Sequence, residues 1–189
     1  MVSQFRPALV ALLIFTLLTG VLYPLTVTGI AQIIFPSQAN GSLITQNNQI
    51  IGSVLLGQNF TDAKYFWSRP SATAPMPYNA AASSGSNLGP TNPALQDAVQ
   101  SRANALRAAD PGNTAPIPID LVTSSASGLD PDISVAAALY QAPRVARARG
   151  LDENAVRELI AQHTQPRVFG LLGELRVNVL QLNLALDKN

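Results

Sequence analysis

Ala8 to Phe35 is a run of 28 residues without a charge, ALVALLIFTLLTGVLYPLTVTGIAQIIF, interrupted by threonine and glutamine as polar side chains. As a helix rising 1.5 Å per residue it is roughly 40 Å long, more than the ~30 Å hydrocarbon slab of a bilayer requires. A charge at mid-bilayer costs about 2.5–3.5 kcal/mol, and here there is none to bury. After Arg6 the next ionisable residue that favours water strongly is Asp62. The run predicts a single membrane-spanning helix over 8–35, with its membrane core about 8–31 and a short tail, 1–7, before it. Pro24 removes one helical hydrogen bond and crowds the carbonyl of Gly20, so the spacing predicts a kink near Pro24. Thr16, Thr19, Gly20 and Pro24 form a small, weakly polar face suited to contact with another helix. The alternative is that these are ordinary residues of a lone helix.

A cleaved signal peptide fits the same stretch: Arg6, an apolar segment Ala8 to Leu22, and a small-x-small site at Gly29-Ile30-Ala31. The run continues past that site through Ile33, Ile34 and Phe35, which favours a retained anchor. Arg6 is the cation on the short N-terminal side. It points to a cytoplasmic N-terminus and an extracytoplasmic remainder.

The remainder, 36–189, is the size of one soluble domain. A formal net charge of +1 argues against a nucleic-acid partner, which calls for a strongly basic face. Without cysteine there is neither a disulfide framework nor thiolate chemistry. Charged residues are only 12%, about half the usual share for a soluble domain, which suggests a surface covered by other proteins.

Leu43 to Gln46 and Gln49 to Gly57 read as a hairpin around Asn47-Asn48, with Gly52 marking a bulge. Asn59 to Asn92 reads as one long loop. Such loops are disordered or functional, and the aromatics Phe60, Tyr65, Phe66, Trp67 and Tyr78 argue against disorder. Trp67 beside Arg69 either stacks on a partner or ligand or pins the loop to its own domain. Asn92-Pro93 opens a helix that stops at Asp110-Pro111-Gly112. Ile119 to Thr123 reads as a short buried strand. It leads into Ser124-Ser125-Ala126-Ser127-Gly128-Leu129-Asp130-Pro131-Asp132 and then a helix capped by Ser134. A polar loop between strand and helix favours ligand binding at the free N–H groups of the helix start. The helix spans Val135 to Gln141, with Pro143 expected to break it before Arg144 to Arg149 and Gly150 to close it. Asp152 caps a further helix, stapled by Leu151 and Val156. Leu175 to about Val179 reads as a strand, followed by a short helix to Leu186. Together these give a mixed α/β fold (α+β-like): one N-terminal transmembrane helix and one small soluble domain.

The chain carries few groups arranged for chemistry. No phosphate-binding glycine loop is present. His163 is the one histidine, and a triad with Ser125 or Ser127 lacks a nucleophile elbow. Asp130 and Asp132 suit turns and caps better than a calcium site. Arg144, Arg147 and Arg149 either hold an anion or stand as solvated helix arginines. These residues favour an accessory or interaction role over an enzyme, and no metal.

Several long blocks carry a resemblance. Phe35-Pro36 with Gln38 to Leu43, Phe66 with Arg69 to Ala72, and Tyr78 to Leu95 resemble the C subunit of the Kdp-type potassium-transporting ATPase. So do Asp120 to Ser134, Tyr140 to Leu151 and Val177 to Asp187, in the expected order along nearly the whole chain. The resemblance implies a non-catalytic, single-pass subunit of a bacterial inner-membrane complex. Its partners would be the lipid bilayer, a channel-like potassium-binding subunit, a P-type ATPase subunit and a small peptide subunit. It implies a catalytic chaperone that raises the ATP affinity of the pump subunit, with no tightly bound cofactor and ATP shared with that subunit. Gln141 of the Tyr140-Gln141-Ala142-Pro143-Arg144 block is implied as a nucleotide contact, with Arg144, Ser125 and Ser127 as neighbouring candidates. The implied placement of the soluble domain outside the cell conflicts with direct contact to cytoplasmic ATP. The reading from another class is an anchored extracytoplasmic binding protein or hydrolase that works alone.

Overall fold

The computed structural model describes residues 4–188, so the first three residues of the expected tail lie outside it. The chain divides after Ser53 into two compact units.

The first unit begins with helix α1, Phe5–Ile34, 30 residues long, opening three residues before Ala8. It is one helix long and apolar enough to cross a membrane, and none of its apolar window is buried within the chain. Near Pro24 the departure from α geometry takes the form of a π segment, Leu18–Leu22, in which the Tyr23 N–H donates to the Leu18 carbonyl. Wider winding ahead of a proline moves the carbonyls that its ring would meet. Thr19 and Thr26 donate their hydroxyls to the carbonyls of Phe15 and Leu22, both at 2.7 Å, so neither leaves an open polar group on the helix. Phe35 leaves helical geometry, and Pro36–Ala39 adds one further turn, α2. Strands β1 (Leu43–Gln46) and β2 (Gln49–Ser53) pair antiparallel around Asn47 and Asn48, whose φ angles of 51° and 60° are those a two-residue turn requires. The register slips between Ile44 and Thr45, leaving Ile51 as the extra residue beside Gly52. That bulge is where β2 departs from regular pairing, and the strand ends at Ser53 rather than Gly57.

The second unit, from Val54 onward, is built on helices α3 (Pro93–Ala109), α4 (Val135–Arg149), α5 (Glu153–Gln162) and α6 (Val179–Leu186). A three-stranded antiparallel sheet carries β5 (Arg176–Asn178) between β3 (Asp132–Ser134) and β4 (Thr164–Gln165). Its core joins Phe66, Leu106, Leu121, Ile133, Val145, Val156, Ile160, Val177, Leu182 and Leu186 with the alanines of α4. Asn92 caps α3, Asp152 caps α5 and Ser134 caps α4, each side chain accepting a backbone N–H of its helix. Leu151 lies against the core and Val156 is fully buried, as the staple requires.

Two expectations are corrected. Ile119 to Thr123 is no strand: Ile119–Leu121 is a single 3-10 turn following Pro118, and Thr123 donates its hydroxyl back to the Ile119 carbonyl. Proline fixes φ and offers no N–H, so a strand starting there has no ladder to join. Nor does Pro143 end its helix, because α4 runs unbroken to Arg149. Ala137, Ala138, Ala142, Val145 and Ala146 are buried along it, and this packing offsets the lost hydrogen bond. Asn113 also donates to the Tyr140 carbonyl in that turn at 3.0 Å. Gly150 closes the helix at φ 67°, in left-handed geometry.

Candidate functional site

Residues 62–67 form a strap that lies across α4 without strand or helix structure of its own. Its backbone groups are met by side chains from distant parts of the chain. Gln141 is 1% exposed; its Oε1 accepts from the Trp67 N–H at 2.8 Å, and its Nε2 donates to the Trp67 carbonyl at 3.2 Å. Oε1 also accepts from Arg144 at 2.7 Å, and Nε2 also reaches the Ala137 carbonyl at 3.3 Å. A carboxamide offers two donors and two acceptor sites, so Gln141 is saturated. Asn183 repeats the arrangement one residue earlier, accepting from the Phe66 N–H at 2.8 Å and donating to its carbonyl at 3.0 Å.

Arg144 is 4% exposed and donates to the carbonyls of Ala63 and Tyr65 while its guanidinium lies 4.5 Å from the centre of the Trp67 ring. Burial pushes its pKa down to about 10, and the carboxylates of Asp110 and Asp62 counter part of that shift. Arg149 donates to the carbonyls of Lys64 and Leu186 and pairs with Asp187 at 2.7 Å. Arg147 pairs with the buried carboxylate of Asp110 at 2.9 Å. The reading as solvated helix arginines is therefore corrected for Arg144 and Arg149, whose donors are taken by backbone carbonyls and, for Arg149, by the Asp187 carboxylate as well. It holds for Arg147, whose side chain is 61% exposed. Trp67 likewise stacks on its own domain and gives its indole N–H to the Asp62 carbonyl at 3.0 Å.

The polar loop before α4 is also internally bonded. Ser125 is buried and its hydroxyl accepts from the Gly128 N–H; the Ser127 hydroxyl accepts from the Leu129 N–H. Asp130 pairs with Arg69 at 3.0 Å and Asp132 with Arg176 at 2.9 Å. Burial raises the pKa of Asp132, with Arg176 opposing the shift. Asp120 reaches the start of α4, accepting from the Ser134 N–H at 2.7 Å and from its hydroxyl at 3.2 Å. The helix N-terminus that the sequence offers to a ligand is thus taken by a carboxylate of the same chain. His163, at the end of α5, has a ring nitrogen 3.0 Å from the Leu159 carbonyl. Among the described residues, no cluster of three or more His, Asp or Glu suits a metal ion.

Gln141 and Arg144 are therefore brought together under the strap, whereas Ser125 and Ser127 bond within their own loop. On α1, Thr16, Thr19, Gly20 and Pro24 are all exposed, and a methyl group built at Gly20 would come no closer than 4.0 Å to Thr16. Sequence reasoning missed Asn183 and Asp120 altogether. Asn183 is one of two polar residues, with Gln181, in the otherwise apolar run Leu180 to Leu186, and that is the signal that could have found it.

A family model described as "K+-transporting ATPase, c chain" matches residues 5–188. The chain belongs to the KdpC family. It is similar to the potassium-transporting ATPase KdpC subunit of Polaromonas naphthalenivorans, 66% identical over 96% of this chain and 93% of that one. The KdpC subunit of a Janthinobacterium strain is 62% identical over the full length of both, and that of Herpetosiphon aurantiacus 66% identical over 97% of this chain and 95% of its own. KdpC membership thus covers both units, and the resemblance read from the sequence blocks holds along the whole chain.

Proposed function

We propose that this KdpC-family chain is a non-catalytic accessory subunit of an ATP-driven potassium-uptake complex of the bacterial inner membrane. It stabilises the assembly and raises the ATP affinity of the P-type ATPase subunit. Helix α1 anchors it with the N-terminus in the cytoplasm, and the second unit faces the outside. The small face at Thr16, Thr19, Gly20 and Pro24 docks on a helix of the channel-like subunit. One observation carries the non-catalytic part: Gln141, Arg144, Arg149, Asp120, Asp130 and Asp132, the groups most suited to chemistry, are spent on bonds within the chain. Contact between Gln141 and a nucleotide requires the strap to lift off α4. With the domain outside, the effect on ATP affinity passes instead through contacts between subunits.

Two experiments test this. Omitting the chain from the purified complex is expected to abolish most potassium-stimulated ATP hydrolysis and raise the KM for ATP, with full-length chain restoring both. ATP, ester or glycan turnover by the isolated chain would contradict the accessory role. The absence of cysteine makes the topology measurable: Ser84→Cys, at an exposed loop position, should react with an impermeant maleimide in intact cells. Protection until lysis, also in cells lacking the other subunits, would place the domain inside.

A further inference from the structure

The long loop 59–78 and helix α3 enclose a cavity of about 400 Å³ in the second unit. That volume is in the range of small-ligand sites, which are mainly apolar with a few placed polar groups. Its walls follow the same pattern: Phe60, Trp67, Pro70, Tyr78, Leu106 and Leu121 supply apolar surface. They are also held in place. Trp67 is fixed by Gln141, Arg144 and the Asp62 carbonyl. Tyr78 stands at a φ of 58°, unfavourable for a bulky side chain, with its N–H on the Ser71 hydroxyl at 2.9 Å and its hydroxyl on the Arg69 carbonyl at 2.6 Å. Strain of this kind persists where surrounding bonds over-determine the conformation, as at ligand clamps.

One cation borders this apolar space. Arg102 donates to the Val122 carbonyl at 2.8 Å, and no carboxylate among the described residues pairs with it. The other half-buried arginines, Arg69, Arg149 and Arg176, have carboxylate partners. Burial lowers the pKa of Arg102, the mark of a charge that has lost water without gaining a counter-charge. Asn59 and Thr61, both exposed, also line the cavity.

We propose that this cavity binds an apolar group bearing a single carboxylate, with the aryl or branched alkyl part against Trp67 and Tyr78 and the carboxylate on Arg102. The inference does not rest on the accessory role. The carboxylate arrives on a free small molecule or on an acidic residue of a neighbouring subunit, and the test separates the two.

Trp67 is the only tryptophan of the chain and lies in the cavity wall, so its fluorescence reports occupancy. The full-length chain in lipid nanodiscs is titrated with 3-phenylpropionate and with 3-phenylpropanol, which lacks the charge. The acid should give a saturable change at concentrations about tenfold lower than the alcohol, the factor expected of one charge-assisted bond. Arg102→Met should remove that preference and Arg102→Lys should keep part of it. Ala105→Phe, at an exposed position lining the cavity, should block both compounds while leaving the fold intact. Radiolabelled acid is then offered to the assembled complex. Uptake there assigns the site to a free ligand, whereas binding confined to the isolated chain assigns it to a neighbouring subunit's acidic residue. Equal affinity for acid and alcohol, no saturable change, or a preference surviving in Arg102→Met would overturn the proposal. Because the acid–alcohol comparison uses the unaltered chain, it stands even if a variant fails to fold.

Discussion

Helix α1 and the strap 62–67 reach order by opposite routes. In α1 most backbone groups find a partner four or five residues away, and Thr19 and Thr26 bond back to their own helix. A uniformly apolar composition is therefore enough to specify it. The strap has no such local solution. Its amides and carbonyls are met by Gln141, Arg144 and Asn183, between 74 and 117 residues away in the chain. What the contrast teaches is that buried side-chain amides can replace a sheet ladder, at the cost of making the strap dependent on a few residues. Unpaired amides in the interior are expensive, so removing one such residue strands several groups at once.

The largest expected effect follows from that dependence. Gln141→Leu should destabilise the second unit by about 3–5 kcal/mol, because it strands the Trp67 N–H and carbonyl together with a buried guanidinium. Urea unfolding of the full-length chain followed by Trp67 fluorescence reads this. Gly20→Leu, in α1, should leave that curve unchanged and weaken co-purification with the partner subunits instead. If both variants moved the same observable, the two regions would not differ as described. Next in size is Arg144→Lys, expected to cost roughly 2–3 kcal/mol although charge is kept, since a lysine cannot bond Ala63, Tyr65 and Gln141 together.

Locally bonded positions should respond less. Ser134→Ala removes the cap of α4 and one acceptor–donor link to Asp120, worth about 1–2 kcal/mol in the same unfolding curve. The smallest effect is confined to alkaline solution. Burial lifts the Tyr78 pKa from 10 to about 12, with the Ser68 hydroxyl opposing and Asp130 adding to the shift. Between those values the unfolded chain has released a proton that the folded chain keeps. The stabilisation is therefore complete below pH 10 and is lost as pH rises through about 12. Tyr78→Phe should flatten that alkaline decline, and an unchanged slope would place the titration elsewhere.

Legibility in the sequence follows the same division. The apolar helix, the Asn47-Asn48 hairpin, the caps at Asn92, Ser134 and Asp152, and the Gly150 stop are all local signals, and each holds. Two readings near prolines fail. Pro143 lies in a helix whose alanine face packs tightly enough to carry it, and Ile119–Leu121, read as the start of a short buried strand, is a 3-10 turn following Pro118. Nothing in the spacing of Arg144 and Arg149 reveals that they hold carbonyls of residues 63–65, because the geometry that joins them exists only once the loop has closed. The polar loop 124–132 has the composition of a ligand site, but its own backbone takes the Ser125 and Ser127 hydroxyls, and Arg69 and Arg176 pair with Asp130 and Asp132.

The central claim is that the strap over Gln141 is a closed structural element, and that the proposed effect on ATP affinity leaves it closed. Amide hydrogen exchange at Phe66 and Trp67, measured on the assembled complex with and without saturating ATP, tests it most directly. The account predicts strong protection of both amides, unchanged by nucleotide. Rapid exchange, or exchange that shifts when ATP binds in a complex whose ATPase subunit cannot turn over, would contradict it and make Gln141 a nucleotide contact.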